Sequence, residues 1–171
     1  MTPQELLPLE GNRAMLRQGV ALLEQLSDAQ YAGQPAGRPS VGAQIRHVLE
    51  HYLAFLRGFS TGYVDYDARA REERLERSRE AALSVTRECL AGLAALAGEP
   101  DRPLQVQLET ESGGPPDWRS SSAGRELQFL CGHTVHHWAL IRLLLAEQGC
   151  ELTAELGVAP STLTHRNRGK R

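Results

Sequence analysis

Long runs of helix-forming sequence, separated by clusters of glycine and proline, constrain the fold of this chain most. Within these runs apolar residues recur at the three- and four-residue spacing of an amphipathic helix. Ser40, and the serines at 120–122, stand directly before two of the runs, where a side-chain hydroxyl can cap a helix. The pattern predicts helices over residues 4–27, 41–59, 68–97 and 123–148, with a loop over 31–39.

The segment 103–119 departs from the helical pattern. Leu104, Val106 and Leu108 alternate with polar residues, which is the period of a strand, and a turn-forming run rich in glycine and proline follows. This predicts a small hairpin or an extended excursion before the last core helix. Together the segments predict an all-α fold, an antiparallel four-helix bundle, over residues 1–150. Residues 151–171 are then a C-terminal tail, partly packed and partly disordered.

Length, charge and cysteine usage narrow the function classes. The 171 residues suit one domain with its own core, and a net charge of −2 does not make the domain as a whole complementary to nucleic acid. Apolar runs stay well short of the roughly 20 residues that span a bilayer. The first residues lack the basic and apolar regions of a secretory signal, so we expect a cytoplasmic, bacterial protein. Three cysteines without a Cys-x-x-Cys spacing argue against a disulfide framework.

Two pairs of histidines carry the strongest chemical signal. His47 and His51 are four residues apart in the second predicted helix, and His133 and His137 are four apart in the last one. Four residues make about one helical turn, so the members of each pair share a face and can bind the same metal ion. A third imidazole from a facing helix would leave coordination positions open to water or substrate, as a catalytic metal requires.

A helical wheel separates these histidines only in part. His133 and His137 fall inside the apolar arc of the last helix, whereas His136 falls off the core side and is expected at the surface. His47 and His51 lie opposite the main apolar stripe of their helix, so the wheel does not choose between them. Glu50 and Glu126 are weak candidates for carboxylates that orient a ligand.

Two segments resemble the metal-ligand helices of the DinB/YfiT-like superfamily. They are residues 40–51, SVGAQIRHVLEH, and residues 126–141, ELQFLCGHTVHHWALI. The resemblance implies a four-helix bundle, usually dimeric, in which three histidines surround one divalent metal ion. At the matching positions of this chain the resemblance implies His47, His133 and His137 as the ligands, and it is this resemblance that favours His47 over His51.

The same resemblance implies a metal-dependent enzyme that acts on a small molecule by thiol transfer or hydrolysis, in stress or detoxification. Its cofactors would be a Zn, Ni, Fe or Mn ion and a low-molecular-weight thiol, and no residue is assigned a catalytic role. Two alternatives stay open: a non-catalytic metal-binding bundle, and DNA binding through the basic end of the tail. We expect Arg69, Arg71 and Arg74 to form a solvated face rather than to meet an anionic substrate.

Overall fold

Serine side chains mark the starts of four helices. The structure is a computed structural model that describes residues 8–34 and 37–168. The hydroxyls of Ser27, Ser40, Ser78 and Ser122 each accept a hydrogen bond from the backbone N–H three residues later, which satisfies a donor that has no partner within the helix. The helices are α1 Leu9–Gln25, α2 Asp28–Ala32, α3 Val41–Thr61, α4 Glu73–Arg77, α5 Arg79–Ala95, α6 Ala123–Ala146 and α7 Pro160–Arg168.

A three-stranded sheet accompanies the helices. Its strands are β1 Tyr63–Asp65, β2 Pro103–Gln107 and β3 Trp118–Ser122, in the order β1-β2-β3. The antiparallel pairing of β2 with β3 is the hairpin that the alternating segment predicts. The parallel pairing of β1 with β2 was not predicted, because three residues are too short to show a strand period. The fold is therefore mostly helical but not all-α.

The long helices pack against one another in four pairs: α1 with α5, α1 with α6, α3 with α5, and α3 with α6. A buried polar network crosses this core. The hydroxyl of Tyr52 donates to Asn12 at 2.9 Å and accepts from Thr134 at 3.1 Å, while Asn12 donates to the carbonyl of Leu127 at 2.9 Å. These bonds join α1, α3 and α6, so the face of α6 that carries the histidine pair is held against α3.

The third predicted helix, over 68–97, is wrong in its first third. Residues 68–72 are not helical, and the helix divides into α4 and α5 at Ser78, whose backbone is extended. Two buried or partly buried carboxylates account for the non-helical residues 68–72. Asp65 accepts from the backbone N–H of Asp67 and of Ala68, both at 2.9 Å, and Glu50 accepts from that of Glu72 at 2.7 Å. These contacts override the helix propensity of the Arg/Glu-rich sequence.

The ends of the predicted elements also move. Helix α1 begins at Leu9, and residues 4–7 of its predicted range lie outside the described residues. In the predicted loop over 31–39, the first two residues belong to the end of α2, and residues 35 and 36 lie outside the described residues. Within residues 8–34 and 37–168, no helix has both the length and the apolar character that crossing a membrane requires.

One stretch of the C-terminal tail, residues 156–158, packs against α6. Leu156 and Val158 are buried, and a Cβ added at Gly157, whose φ is +70°, would come within 2.4 Å of the backbone nitrogen of Ala139. Only glycine fits this close approach of the tail to α6. Helix α7, in contrast, has no buried residue. Disorder was predicted for part of the tail, and residues 169–171 lie outside the described range.

Candidate metal centre

The structure brings His47 of α3 together with His133 and His137 of α6. One ring nitrogen from each of the three lies within 4.8 Å of those of the other two. The ring centroids are 5.0 Å apart for His47 and His133, 4.7 Å for His47 and His137, and 4.5 Å for His133 and His137. All three rings are partly buried. The i,i+4 spacing of the pair on α6 therefore meets a third imidazole from the facing helix, as the sequence predicts.

Two of the rings are set up to offer a free nitrogen. The Nδ1 atom of His137 lies 2.6 Å from the side-chain oxygen of Gln44, which can only accept, so Nδ1 carries the proton and Nε2 keeps its lone pair. The Nε2 atom of His133 is buried and has no hydrogen-bond partner. A buried polar atom without a partner is costly unless something else binds it. The donor set thus fits a metal ion that prefers imidazole nitrogen.

Gln44 contacts the histidine cluster and was not predicted from the sequence. It lies three residues before His47 on α3, so both side chains project from the same face. A hydrogen-bond partner on the far nitrogen is the usual way in which a ligating histidine is held in orientation. The three-residue spacing of Gln44 and His47 can be read from the sequence. The hydrogen-bond partner of Gln44 is His137, which lies on α6, so the contact itself cannot.

His51 lies beside the three histidines but plays a different part. Only 3% of it is exposed, and its Nδ1 donates to the backbone carbonyl of His47 at 2.7 Å. Its ring stacks on that of Tyr66, with the centroids 5.4 Å apart. The three nitrogens that lie within 4.8 Å of one another do not include one from His51. His136 is exposed, as the wheel predicts.

Burial keeps this cluster uncharged. The pKa of His47 is lowered to about 3 and that of His51, His133 and His137 to about 4, and removal from water is the largest cause for each ring. Repulsion between neighbouring imidazolium rings contributes to the lowered pKa values, and so does the positive charge of Arg69 for all but His137. The rings are therefore neutral at physiological pH, which is the form that binds metals.

Arg69 is the residue whose placement differs most from expectation. Its side chain is only 14% exposed, and its Nη1 lies 2.8 Å from Nδ1 of His47. The prediction of a solvated face is wrong for Arg69, whereas Arg71 and Arg74 are exposed as predicted. The strand β1 and the turn after it carry Arg69 back over α3, and this path was not visible in the helical pattern of the sequence.

The two carboxylates considered as orienting partners do not contact a histidine. Glu50 is buried, binds the backbone N–H of Glu72, and lies 4.0 Å from Nη1 of Arg69. Glu126 accepts from the hydroxyl of Ser121 at 2.6 Å. Glu50 therefore belongs to the surroundings of the site through Arg69, and Glu126 to the junction of α6 with β3.

Comparisons with known proteins support this fold. A DinB-like protein of Bacillus subtilis, YjoA, has a similar fold, with a TM-score of 0.62, 21% sequence identity, and coverage of 86% of this chain and 96% of that one. The FK506-binding protein 5 of Rhizopus delemar is 35% identical over 66 residues, which are 38% of this chain and only 17% of that protein. The sequence profile of the DinB superfamily matches residues 9–141. The chain therefore belongs to the DinB superfamily.

Proposed function

We propose that His47, His133 and His137 bind one divalent metal ion and that the protein is a metal-dependent enzyme. The observation that carries this proposal is the approach of three neutral imidazoles from two helices. One of the three, His133, has a buried ring nitrogen without a hydrogen-bond partner. Zn, Ni, Fe and Mn are the candidate ions, because imidazole ligands suit several divalent metals.

The reaction that we propose is the transfer of a thiol to a small electrophile, with hydrolysis as the second possibility. A divalent ion held by three neutral ligands supplies Lewis acidity that favours the deprotonated form of a thiol or of water. The chain's own part is to orient and to shield. Gln44 holds the tautomer of His137, and His51 with Tyr66 covers the inner side of the cluster. The thiol would be a low-molecular-weight cofactor.

We further propose that the four long helices form an antiparallel bundle as one domain, residues 1–150, and that two copies form a homodimer. The pairwise packing of α1, α3, α5 and α6 supports the bundle. A cytoplasmic location in a bacterium, expected from the sequence, and a role in stress or detoxification, implied by the resemblance, complete the proposal.

Metal analysis of protein purified without a histidine tag tests the site. We expect close to one ion per chain, lost in His47→Ala and in the His133→Ala/His137→Ala double variant, and kept in His136→Ala, which changes an exposed neighbouring histidine. Metal retained in the double variant would overturn the assignment.

Catalysis needs a separate test. Metal-loaded protein is assayed for thiol consumption with a panel of small electrophiles, and for hydrolysis of esters and amides. A turnover that the double variant lacks would support the enzyme, and its dependence on thiol would separate the two reactions. A loaded protein that turns over none of these substrates would favour the alternative of a non-catalytic metal-binding protein.

A further inference from the structure

Arg69 is hydrogen-bonded to His47, one of the three proposed metal ligands, so this inference rests on the proposed function. We propose that Arg69 and the ion compete for His47, and that the displaced guanidinium binds a carboxylate of the substrate beside the ion. The site would then select small molecules that carry a carboxylate close to the group that meets the metal.

The competition follows from hydrogen-bond chemistry. An arginine side chain has only donors, so the 2.8 Å contact makes Nδ1 of His47 the acceptor and leaves the ring proton on Nε2. If the ion binds Nδ1, it takes the lone pair that Arg69 uses. If the ion binds Nε2, the ring proton moves to Nδ1, where it would face a second donor. The contact between Arg69 and His47 breaks in either case.

The released guanidinium stays near the histidines because its Nε atom is held. The Nε atom of Arg69 donates to the carbonyl oxygen of Tyr66 at 2.5 Å, and the ring of Tyr66 is fully buried against that of His51. Glu50, 4.0 Å from Nη1, keeps the cation on this side of the cluster. Arg69 can therefore pivot as a planar group about this hydrogen bond, but it does not leave the site.

The charges of the loaded site then favour an anion. Imidazole ligands bind a metal ion in their neutral form and would leave its charge uncompensated, and Arg69, whose Nη1 lies 2.8 Å from Nδ1 of His47, adds a positive charge next to it. Glu50 offsets part of this charge, but one of its oxygens already accepts from the backbone of Glu72. The planar guanidinium can donate two parallel hydrogen bonds to the two oxygens of a carboxylate, so the site would select for shape as well as for charge.

Zinc affinity tests the competition. Zinc binding to the full-length chain is measured against a chromophoric chelator for the wild type, Arg69→Gln, and the control Arg71→Gln, which changes an exposed arginine two residues away. A hydrogen bond from a charged donor corresponds to about tenfold or more in affinity, so Arg69→Gln should bind zinc about tenfold more tightly. Arg69→Lys, which keeps a charge and a donor, should fall between the two.

Equal or weaker zinc binding by Arg69→Gln, in a chain whose circular dichroism matches the wild type, would overturn the competition while leaving the metal site in place. A wild-type chain that binds no zinc would overturn the proposed function, and this inference with it.

Ligand preference tests the carboxylate. The cobalt-loaded protein is titrated with mercaptoacetate and with 2-mercaptoethanol, and the visible absorption of the cobalt reports binding. We expect the wild type and Arg71→Gln to bind mercaptoacetate about tenfold more tightly than 2-mercaptoethanol, and Arg69→Gln to lose this preference. Equal binding of the two thiols by the wild type, or a preference that survives in Arg69→Gln, would overturn the carboxylate site.

Discussion

Acid should destabilise the metal-free protein through the histidine cluster, by which we mean His47, His51, His133 and His137. In the folded chain their pKa values are about 3 for His47 and about 4 for the other three, against 6.5 for a free side chain. Above pH 6.5 the rings are neutral in both states, and the full stability is present. As the pH falls below 6.5 the unfolded chain takes up protons that the folded chain does not, so the free energy of unfolding decreases.

The size of the effect follows from these values. Between pH 7.5 and pH 5.5, a histidine that stays neutral only in the folded state lowers the free energy of unfolding by about 1.4 kcal/mol. Four such rings set an upper limit of about 6 kcal/mol, and solvent screening of the three partly exposed rings reduces the expected loss to about 2–3 kcal/mol. With a urea dependence of about 2 kcal/mol per molar, the unfolding midpoint should fall by about 1–1.5 M.

Urea unfolding followed by circular dichroism, at pH 7.5, 6.5 and 5.5 in the presence of a chelator, measures this loss. The range stays above the usual pKa of Asp and Glu, so it isolates the histidines. His51→Asn should make the loss smaller, and His136→Gln, at an exposed position, should leave it unchanged. A free energy of unfolding that is the same at pH 7.5 and 5.5 would refute the claim that the fold holds these rings neutral.

Two further substitutions test the surroundings of the site. Gln44→Ala removes the acceptor that orients His137 and should weaken zinc binding by about tenfold or more in a chelator competition, and unchanged affinity would contradict the orienting role. Gly42→Ala places a Cβ 2.0 Å from the backbone oxygen of Glu76, where α4 packs on α3, and should lower the free energy of unfolding by about 1–3 kcal/mol. Gly132→Ala is the control, because its Cβ would meet nothing within 4 Å and should stabilise α6 by up to about 1 kcal/mol. Equal effects of the two glycine substitutions in urea unfolding would contradict the close approach of α4.

Local signals in the sequence were reliable where the chain itself supplies the partner. Ser40 and Ser122 cap the helices that they were expected to cap, because a cap bonds a backbone group three residues away. The alternating segment at 103–119 forms β2 and β3. The inward face of α6 followed from the 3.6-residue period, which placed His133 and His137 on one side and His136 on the other.

The same reasoning failed where the partner is distant in the sequence. The Arg/Glu-rich segment was predicted as one helix, but Glu50, 22 residues before Glu72, accepts from the backbone of Glu72, and the helix begins only at Glu73. Strand β1 is too short to show a period and exists because β2 lies beside it. Tertiary contacts decided both. The helix propensities of ordinary residues differ from one another by less than the free energy of one hydrogen bond to a charged group.

The metal site divides in the same way. From the spacing of its histidines, the sequence by itself determined that His133 and His137 share a face and that α3 offers a histidine pair. Only the tertiary structure decided which partners surround them. Gln44 meets His137 across 93 residues, Arg69 returns to His47 across 22, and His51 turns its proton to a backbone carbonyl. The helical period determines the direction in which a side chain points from the helix axis. Only the packing of the helices determines which residue faces that side chain, and the facing residue decides which ring nitrogen stays free for a metal ion.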